Sequence, residues 1–324
     1  ACEQSVDPSL IGHPVVVLSN NDGCIISRSS EARKLGISMG LPYFKARHEL
    51  KRHGVIVLSS NYTLYGDMSK RLMSILKGDC EQIEVYSIDE AFAKMSRPSN
   101  NDLRPWARKL RALAQQSLGL PISIGIGASK SQAKLANHIA KNVAKNAGIS
   151  DFLMVENQDL LLETINIENV WGIGKKLAYW CRLNGINTAK ELRDISSEKL
   201  RSKCGIRGIR LQHELLGKEC IPFVVEPRKK QEICVSRSFR NPIKNIEDLK
   251  QAIRFDIVRA AEKLRIQKQL TSLITIFTRT SPFKEDFYEK SASIELQSPS
   301  NETSVLLKAS LSLTEKIFQS NCLL

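Results

Sequence analysis

The sequence predicts a multidomain α+β protein, on the basis of its length, the order of its hydrophobic patterns and one long segment without strands. At 324 residues, the chain is long enough for about two domains, or three small ones, at roughly 150 residues per domain. Strand and helix patterns alternate in the first 157 residues and again after residue 233. Between them, residues 160–216 carry glycine-broken helical patterns with almost no strand signal. We therefore expect an α+β unit, a small helical unit and a second α+β unit.

The first unit opens with a predicted β-hairpin. Pro14–Ser19 and Cys24–Arg28 are short apolar runs around Asn-Asn-Asp-Gly at residues 20–23, the residue types that tight hairpin turns require. Antiparallel strands with two crossing helices indicate a ferredoxin-like layer. The other elements predicted for this unit are a helix at 30–35 ended by Gly36, a strand at 55–59, a helix at 63–77, strands at 82–87 and 91–95, a helix at 104–117, a strand at 122–126, a helix at 131–146 and a strand at 152–155.

A linker is predicted after the helical unit. Residues 222–230 (PFVVEPRKK) contain two prolines and a basic triplet, which is typical of an interdomain connection. We expect a separate α+β domain beyond it. The elements predicted there are a strand from 233, a helix at 245–266, strands at 271–279 and 291–297, and a helix at 303–318.

The composition limits the possible functions. The longest apolar run near the start, Val15–Leu18, is far shorter than the ~20 residues that a membrane helix needs, and the first residues carry acid where a signal peptide carries base. The eight cysteines are scattered without C-x-x-C spacing, which excludes zinc-ribbon and thioredoxin-type sites and indicates reduced thiols. We expect a soluble intracellular protein that does not bind membranes.

Positive charge is spread through the chain. The formal net charge is +14, from 48 basic and 34 acidic residues. Residues 1–157 hold 20 basic and 14 acidic side chains, residues 158–227 hold 11 and 9, and residues 228–324 hold 17 and 11. This distribution favours a long polyanion such as nucleic acid as the partner, although many basic proteins bind none.

Two adjacent carboxylates are the sharpest chemical signal. Asp89 and Glu90 lie between two predicted strands, in the sequence Tyr-Ser-Ile-Asp-Glu-Ala-Phe (86–92). Adjacent residues of a regular strand point to opposite faces, so only a turn lets both side chains converge at a sheet edge. Converging carboxylates offer the oxygen ligands that hard divalent cations prefer. The alternative is a solvated Asp-Glu turn.

The helix predicted at 131–146 carries a basic stripe. Such a face can bind a triphosphate or a DNA backbone, or it can simply be solvated. The preceding Gly125-Ile-Gly127 lacks the third glycine and the acidic residue of a dinucleotide-binding fingerprint, which excludes a Rossmann site. The stripe consists of side chains at i, i+4, i+7 and i+11, namely Lys134, His138, Lys141 and Lys145.

Glycines in the helical segment indicate a second binding element. Gly172 and Gly174 precede Lys175 and Lys176 at the predicted start of a helix. Backbone N–H groups there are open to a phosphate because no side chain covers them. This is the helix-hairpin-helix pattern of sequence-independent DNA binding, and the alternative is an ordinary glycine turn. Further basic residues fit backbone contacts and solvated charge equally well: Lys199, Arg201, Lys203, Arg207, Arg210, Arg237 and Arg240.

Six motifs occur in a characteristic order. They are Ser19-Asn-Asn-Asp-Gly-Cys24, Glu31-Ala-Arg-Lys-Leu-Gly36, Tyr86-Ser-Ile-Asp-Glu-Ala-Phe92, Ala133-Lys-Leu-Ala-Asn-His138, Trp171-Gly-Ile-Gly174 and Gln231-Glu-Ile-Cys-Val-Ser-Arg-Ser238. Together they resemble the Y-family translesion DNA polymerases, and within that family the UmuC-like group, which contains the catalytic subunit of DNA polymerase V. The similarity covers essentially the whole chain.

The resemblance implies a right-hand fold and an activity. The activity is error-prone DNA synthesis past damaged template bases in the bacterial SOS response, by nucleotidyl transfer from a dNTP to a primer 3′-hydroxyl. The parts implied are a palm remnant at 1–9, fingers at 10–65, a ferredoxin-like palm at 66–157, a helical thumb at 158–220, a linker at 221–230 and an α+β little finger at 231–324.

The resemblance also implies a site and partners. Asp89 and Glu90 would be catalytic and would hold two Mg²⁺ ions. The substrates would be primer–template DNA and dNTP, and the protein partners would be the processed UmuD dimer, a RecA filament and the sliding clamp. The chain would act in the cytoplasm, at the nucleoid. Nucleotide contacts would come from Ser27, Arg33 and Lys141, and DNA contacts from Gly172, Gly174, Lys175, Lys176, Arg237 and Arg240.

The sequence departs from the family pattern in three places. Ser30 stands where many members have a phosphate-binding tyrosine. Ala1 aligns just after the family's first palm strand, which carries a further metal-binding aspartate and the residue that excludes ribonucleotides; Asp7, before a proline, predicts a turn and no substitute. Leu324 precedes a closing strand and a clamp-binding peptide. We therefore expect a fragment, a mis-set start or a decayed gene. The alternatives are an inactive DNA-binding chain and, less favoured, a helix-hairpin-helix nuclease.

Overall fold

The computed structural model describes residues 1–96, 102–142, 148–226, 230–239, 242–280 and 287–319. The contacts divide the chain into two units, residues 1–227 and residues 228–324, which are described separately. Within the described ranges, no helix is both long enough and apolar enough to cross a membrane.

A three-stranded sheet with three helices forms the beginning of the first unit. The predicted hairpin is present, and Asn21 and Asp22 in its turn adopt φ angles of 66° and 53°, which asparagine and aspartate tolerate better than most residues. The central strand pairs antiparallel with the second and parallel with the third. The elements are Cys2–Val6 (α1), Val15–Leu18 (β1), Ile25–Arg28 (β2), Ser30–Lys34 (α2), Tyr43–Arg52 (α3) and Ile56–Ser59 (β3).

The short helix α1 is tied to distant parts of the same unit. The Tyr65 hydroxyl donates to Glu3 Oε1 at 2.6 Å, and Ser5 Oγ donates to the carbonyl of Leu118 at 2.6 Å. Burial and the bond to the Glu3 carboxylate raise the pKa of Tyr65 to about 12. Asp7 accepts a bond from Ser9 N at the start of a 3₁₀ turn, as its Asp-Pro sequence predicts.

Two separate strand pairs follow, one antiparallel and one parallel. Glycine lets a helix approach the second pair closely: a Cβ added to Gly125 would lie 2.1 Å from Asn137 N, and one on Gly127 would lie 2.5 Å from Ala133 N. The Gly-Ile-Gly sequence therefore serves packing. The elements are Tyr62–Asp79 (α4), Gln82–Val85 (β4), Ala91–Lys94 (β5), Arg104–Leu118 (α5), Ile124–Ile126 (β6), Lys130–Asn142 (α6) and Ile149–Asp151 (β7).

The prediction of a strand at 152–155 is wrong. The strand that pairs with β6 is β7, three residues earlier, and residues 152–154 form a 3₁₀ turn. The Asp151 side chain accepts a bond from Leu153 N at 2.9 Å and so turns the chain out of the extended conformation. The end of the helix predicted at 131–146, with Lys145, lies outside the described residues.

The middle of the chain is helical, as predicted. Its apolar residues share one buried cluster with Leu135, Ala136 and Phe152, so the helical segment and α6 have a common core. The last helix is kinked at Gly205, where φ is 60° and ψ is −152°. The elements are Gln158–Glu163 (α7), Lys175–Leu183 (α8), Ala189–Asp194 (α9) and Ser197–Leu215 (α10).

The beginning of the predicted linker is bound to the first unit. Glu214 Oε1 accepts bonds from Cys220 N and Ile221 N at 2.7 and 2.9 Å, and Glu84 Oε2 accepts one from Val224 N at 2.7 Å. Residues 227–229 lie outside the described part.

The second unit consists of a long helix, an antiparallel strand pair and two short helices. The strands pair from Arg279–Glu289 to Thr271–Ser300, with a bulge between Thr271 and Leu273. The strand predicted from 233 is not found in the described residues 230–239, and the helix predicted at 303–318 is interrupted at Ser312 and Leu313. The elements are Ile246–Ile266 (α11), Thr271–Arg279 (β8), Glu289–Ser300 (β9), Thr303–Leu311 (α12) and Thr314–Ile317 (α13).

Candidate active site

Residues 86–90, here called the acid turn, connect β4 to β5. The amides of Tyr86 and Ser87 both donate to the carbonyl of Glu90, each at 3.0 Å, which closes the chain into a tight loop. Asp89 is exposed in this loop, and Ser87 Oγ donates to Asp89 Oδ1 at 2.5 Å. The turn interrupts the alternation of the two strands, so both carboxylates lie at the end of the hairpin, as the sequence predicts.

Glu90 is paired with two lysines of α6. Lys134 Nζ lies 2.5 Å from Glu90 Oε2, and Lys141 Nζ lies 3.8 Å from Glu90 Oε1. The Lys134 side chain is 16 % exposed and the Lys141 side chain is 52 % exposed. The basic stripe predicted from the sequence therefore contacts the acid turn through these two lysines. The Lys134–Glu90 contact is the stronger one, because Lys134 is more buried and solvent screens its charge less.

Three aromatic rings, here called the aromatic box, surround the Lys134 amine. Its Nζ lies 4.7 Å from the ring centroid of Tyr86, 5.6 Å from that of Phe92 and 5.9 Å from that of Trp171. The rings contact one another edge to face or tilted, with centroids 5.6–5.7 Å apart, and Trp171 Nε1 donates to the Tyr86 hydroxyl at 3.3 Å. Cation–π attraction and the ion pair together fix the position of Lys134.

The acid turn has suitable donors for magnesium. Mg²⁺ is usually held by one or two carboxylates together with substrate phosphates and water, and carboxylate oxygens are the hard ligands that it prefers. Within the described ranges, no group of three or more His, Cys, Asp or Glu side chains is arranged to hold a metal ion. The pair Asp89 and Glu90 therefore fits a magnesium ion that is shared with a substrate, rather than an ion held by protein alone.

The other nucleotide residues predicted from the sequence lie on the three-stranded sheet and on α2. Ser27 is exposed on β2 and Arg33 is exposed on α2. The contacts of the described residues bring Lys141 to the acid turn, but none of them joins Ser27 or Arg33 to it.

Residues 172–174, here called the glycine loop, precede α8 and have the geometry of a phosphate-binding helix start. Gly172 has a φ of +93°, which disfavours any side chain, and a Cβ on Gly174 would meet nothing within 4 Å. Gly174 is the N-cap of α8 and provides no side-chain cap, so the amides of the first turn are left to outside partners. Lys175 and Lys176 are exposed beside them.

In the second unit, Arg237 has partners within its own unit. Its Nη2 lies 2.5 Å from Asp256 Oδ1, and its guanidinium stacks 4.1 Å from the Phe255 ring centroid. Any contact of Arg237 with DNA would have to be shared with this ion pair, and its DNA-binding role remains a prediction. Arg240 lies outside the described residues.

Sequence reasoning missed the partners of the stripe. Lys130, four residues before Lys134, is buried, and its Nζ lies 2.5 Å from Glu84 Oε2 and 2.8 Å from the carbonyl of Pro222. The one available signal was the i−4 spacing of Lys130 from Lys134. Nothing local indicated that Trp171 contacts Tyr86, since 85 residues separate them.

Comparisons with known proteins agree with the motifs. The family model described as "impB/mucB/samB family" matches residues 1–138, and "impB/mucB/samB family C-terminal domain" matches residues 230–323. UmuC of Salmonella typhimurium is 39% identical over 98% of this chain and 76% of its own length, and SamB of the same organism is 37% identical with the same coverage. A protein named DNA polymerase IV 1 of Bacillus subtilis (strain 168) is 28% identical over 98% of this chain and 76% of its own length.

Solved structures show the same fold. A Y-family polymerase chimera of Dbh and Dpo4 superimposes with a TM-score of 0.73 at 19% identity, and covers 97% of this chain and 89% of its own. An insertion ternary complex of Dbh DNA polymerase gives a TM-score of 0.58 at 22% identity with the same coverage. The α+β fold class predicted from the sequence is therefore confirmed. This chain belongs to the impB/mucB/samB family and is a UmuC-like member of the Y-family DNA polymerases.

Proposed function

We propose that this chain performs error-prone DNA synthesis past damaged template bases, by magnesium-dependent nucleotidyl transfer from a dNTP to a primer 3′-hydroxyl. The observation that carries the proposal is the acid turn, which places two adjacent carboxylates at the end of the β4–β5 hairpin and brings two lysines of α6 to one of them, Glu90. Family membership and the relatives named DNA polymerase IV support the same activity.

Asp89 and Glu90 would hold the magnesium ions. When bound, such ions lower the pKa of the primer hydroxyl and neutralise the charge of the triphosphate and leaving pyrophosphate. Lys141, exposed and 3.8 Å from Glu90, can reach for a triphosphate oxygen without losing a strong bond. We assign Ser27 and Arg33 to the same nucleotide on the basis of the family resemblance, and both are exposed, on β2 and α2.

We propose that the glycine loop binds the DNA backbone. The uncapped start of α8 offers backbone N–H donors at the positive end of a helix, with Lys175 and Lys176 alongside. Such contacts recognise phosphate and not base, which suits an enzyme that must follow any sequence.

The cellular setting is proposed from family resemblance. We place the chain in the cytoplasm, at the nucleoid, in the SOS response, with the processed UmuD dimer, a RecA filament and the sliding clamp as partners. We assign residues 10–65, 66–157, 158–220 and 231–324 to fingers, palm, thumb and little finger. Co-purification of the tagged chain with UmuD, RecA or the clamp tests each partner separately.

Primer extension tests the proposal. The protein is incubated with a labelled primer–template, dNTPs and Mg²⁺, with and without the accessory proteins, and DNA binding is followed by fluorescence anisotropy. We expect Asp89→Asn to reduce extension by at least about 10³-fold while DNA affinity changes less than about twofold, because the lost carboxylate acts in the transition state. Asp67→Asn, an exposed aspartate on α4, is the matched control and should extend normally.

Three outcomes are decisive. Extension that is lost only in Asp89→Asn supports the proposal. Extension that survives in Asp89→Asn shows that the acid turn is not the catalytic site. DNA binding without extension under every condition, accessory proteins included, overturns the polymerase assignment in favour of a DNA-binding role.

A further inference from the structure

Lys134 is held from two sides beside the acid turn. Its ammonium lies 2.5 Å from Glu90 Oε2 and 4.7–5.9 Å from the ring centroids of the aromatic box. Only 16 % of the side chain is exposed. A lysine on a flexible four-carbon stem normally samples many rotamers, so such enclosure restricts it to one position.

The helix that carries Lys134 is itself fastened at its start. Glu214 is fully buried, and its Oε2 accepts a bond from Ser131 N at 3.0 Å while its carbonyl accepts one from Ser129 Oγ at 2.6 Å. Lys130, one turn before Lys134, is fixed by Glu84. These contacts favour one position of the Lys134 ammonium, which can therefore orient the Glu90 carboxylate beside it.

Lys134 and Lys141 differ in their freedom to leave Glu90. The Lys141 contact is longer, at 3.8 Å, and 52 % of that side chain is exposed, so the contact is weak and screened. The Lys134 ammonium is the nearer and the less exposed of the two. A positive charge at this distance repels a divalent cation at the same carboxylate.

We propose that Lys134 is a positioning residue that orients the Glu90 carboxylate and makes tight binding of a divalent cation at the acid turn depend on the triphosphate. Lys134 occupies Oε2, whereas Oε1 has the longer contact to the exposed Lys141. The cation would take Oε1 together with the exposed Asp89 carboxylate, whose Oδ1 also accepts a bond from Ser87 Oγ. The phosphates of the nucleotide supply the negative charge that offsets Lys134. The inference rests on the proposed function, because it assumes that the acid turn binds the cation.

Titration with Mn²⁺ tests this role without relying on catalysis. Calorimetry measures Mn²⁺ binding to the full chain in the absence of nucleotide, and then dATP binding with and without saturating Mn²⁺. We expect Lys134→Met to bind Mn²⁺ alone about tenfold more tightly than the unaltered chain, because a repelling charge is removed. The factor by which Mn²⁺ tightens dATP binding should fall by the same amount, since coupling between two ligands is reciprocal.

Matched variants separate positioning from folding. Lys134→Arg retains the charge and should raise Mn²⁺ affinity less than Lys134→Met does. Lys109→Met, which removes a lysine that is 74 % exposed on α5, should behave like the unaltered chain. Trp171→Ala opens the aromatic box and should shift Mn²⁺ affinity in the same direction as Lys134→Met, whereas Trp171→Phe keeps a ring there and should shift it less. Thermal melts of each variant verify the fold. In primer extension, Lys134→Met should lower kcat about 10²-fold with little change in KM, as expected when a ligand carboxylate loses its orientation.

Mn²⁺ binding to Asp89→Asn distinguishes a failure of the inference about Lys134 from a failure of the proposed function. If Asp89→Asn loses Mn²⁺ binding but Lys134→Met binds Mn²⁺ like the unaltered chain, the inference about Lys134 is overturned and the proposed function is not. If Asp89→Asn binds Mn²⁺ normally, the acid turn is not a cation site, and both the inference and the site assignment fail.

Discussion

Lys130 shows how strongly one buried charge depends on its partners. Its side chain is 7 % exposed, and its amine contacts Glu84 Oε2, the carbonyl of Pro222 and the rings of Phe92 and Phe223, at 5.2 and 5.3 Å from their centroids. Glu84 also accepts a bond from Val224 N. An ion pair with this many hydrogen bonds is tolerated in the interior, but neither charge can be left alone there.

We predict that Lys130→Met lowers the free energy of unfolding by about 3–5 kcal/mol, because it leaves the Glu84 carboxylate buried without a counter-charge. The double variant Lys130→Met/Glu84→Gln should lose less, since both charges are gone. Urea denaturation followed by circular dichroism measures both. Asp67→Asn breaks an exposed pair with Arg71 and, as the control, should cost less than about 1 kcal/mol. A double variant less stable than Lys130→Met would contradict this account.

At this scale the sequence predicted the acidic residues but not their partners. The acid turn could be found because Asp89 and Glu90 are adjacent and lie between strand patterns. The bond from Lys134 to Glu90 spans 44 residues and the contact of Trp171 with Tyr86 spans 85. The spacing along one helix predicts which face carries Lys134, but it does not predict which residues that face contacts.

At the scale of elements, α6 connects most of the features of the first unit. Its start is bound by Glu214 of α10, one face packs on β6, and its lysines face the acid turn. Close packing on β6 is possible only because Gly125 and Gly127 have no side chains. The distance of α6 from the sheet therefore determines where its lysine stripe stands.

We predict that Gly125→Ala destabilises the first unit strongly, by about 2–5 kcal/mol, because the new Cβ would lie 2.1 Å from Asn137 N and must push backbone away from backbone. Gly66→Ala is the matched control: a Cβ there meets nothing within 4 Å, and alanine in a helix should be neutral or stabilising by up to about 1 kcal/mol. Thermal denaturation distinguishes the two. Equal melting temperatures would show that α6 can move away from β6 at little cost.

Elements with a strong hydrophobic pattern could be predicted from the sequence. Elements whose conformation depends on a side-chain hydrogen bond could not. The strand at 271–279 has the predicted bounds because β-branched and apolar residues alternate through it. The run at 152–155 is also apolar, but the cap from Asp151 turns residues 152–154 into a 3₁₀ helix. Periodicity also merged α12 and α13 into one helix, since their apolar faces continue across the break at Ser312.

At the scale of the whole molecule, excess positive charge is found in every part of the chain. The differences between basic and acidic residues are +6, +2 and +6 for residues 1–157, 158–227 and 228–324. Binding to DNA should therefore release counterions from many phosphates at once and depend steeply on salt.

We predict that affinity for a primer–template falls by about 10³-fold between 50 and 200 mM NaCl, as expected for about six phosphate contacts. Lys175→Gln and Lys176→Gln should each reduce the slope of log K against log salt concentration by about one and weaken binding to all sequences alike. Lys109→Gln should leave the slope unchanged. Fluorescence anisotropy across a series of NaCl concentrations measures the affinity and its slope for each variant. A slope near zero would show that phosphate contacts do not drive binding.

The shared core of α6 and the helical segment has a consequence for recombination. Leu135, Ala136 and Phe152 lie in the same buried cluster as the leucines of α7 to α10, so a crossover between two relatives at residue 157 would join halves of one core from different parents. Residues 228–324 hold apolar clusters of their own, and a crossover near the linker divides none of the buried clusters. Residues 1–227 can therefore be exchanged as one module without dividing a buried cluster, whereas their helical segment is not interchangeable alone.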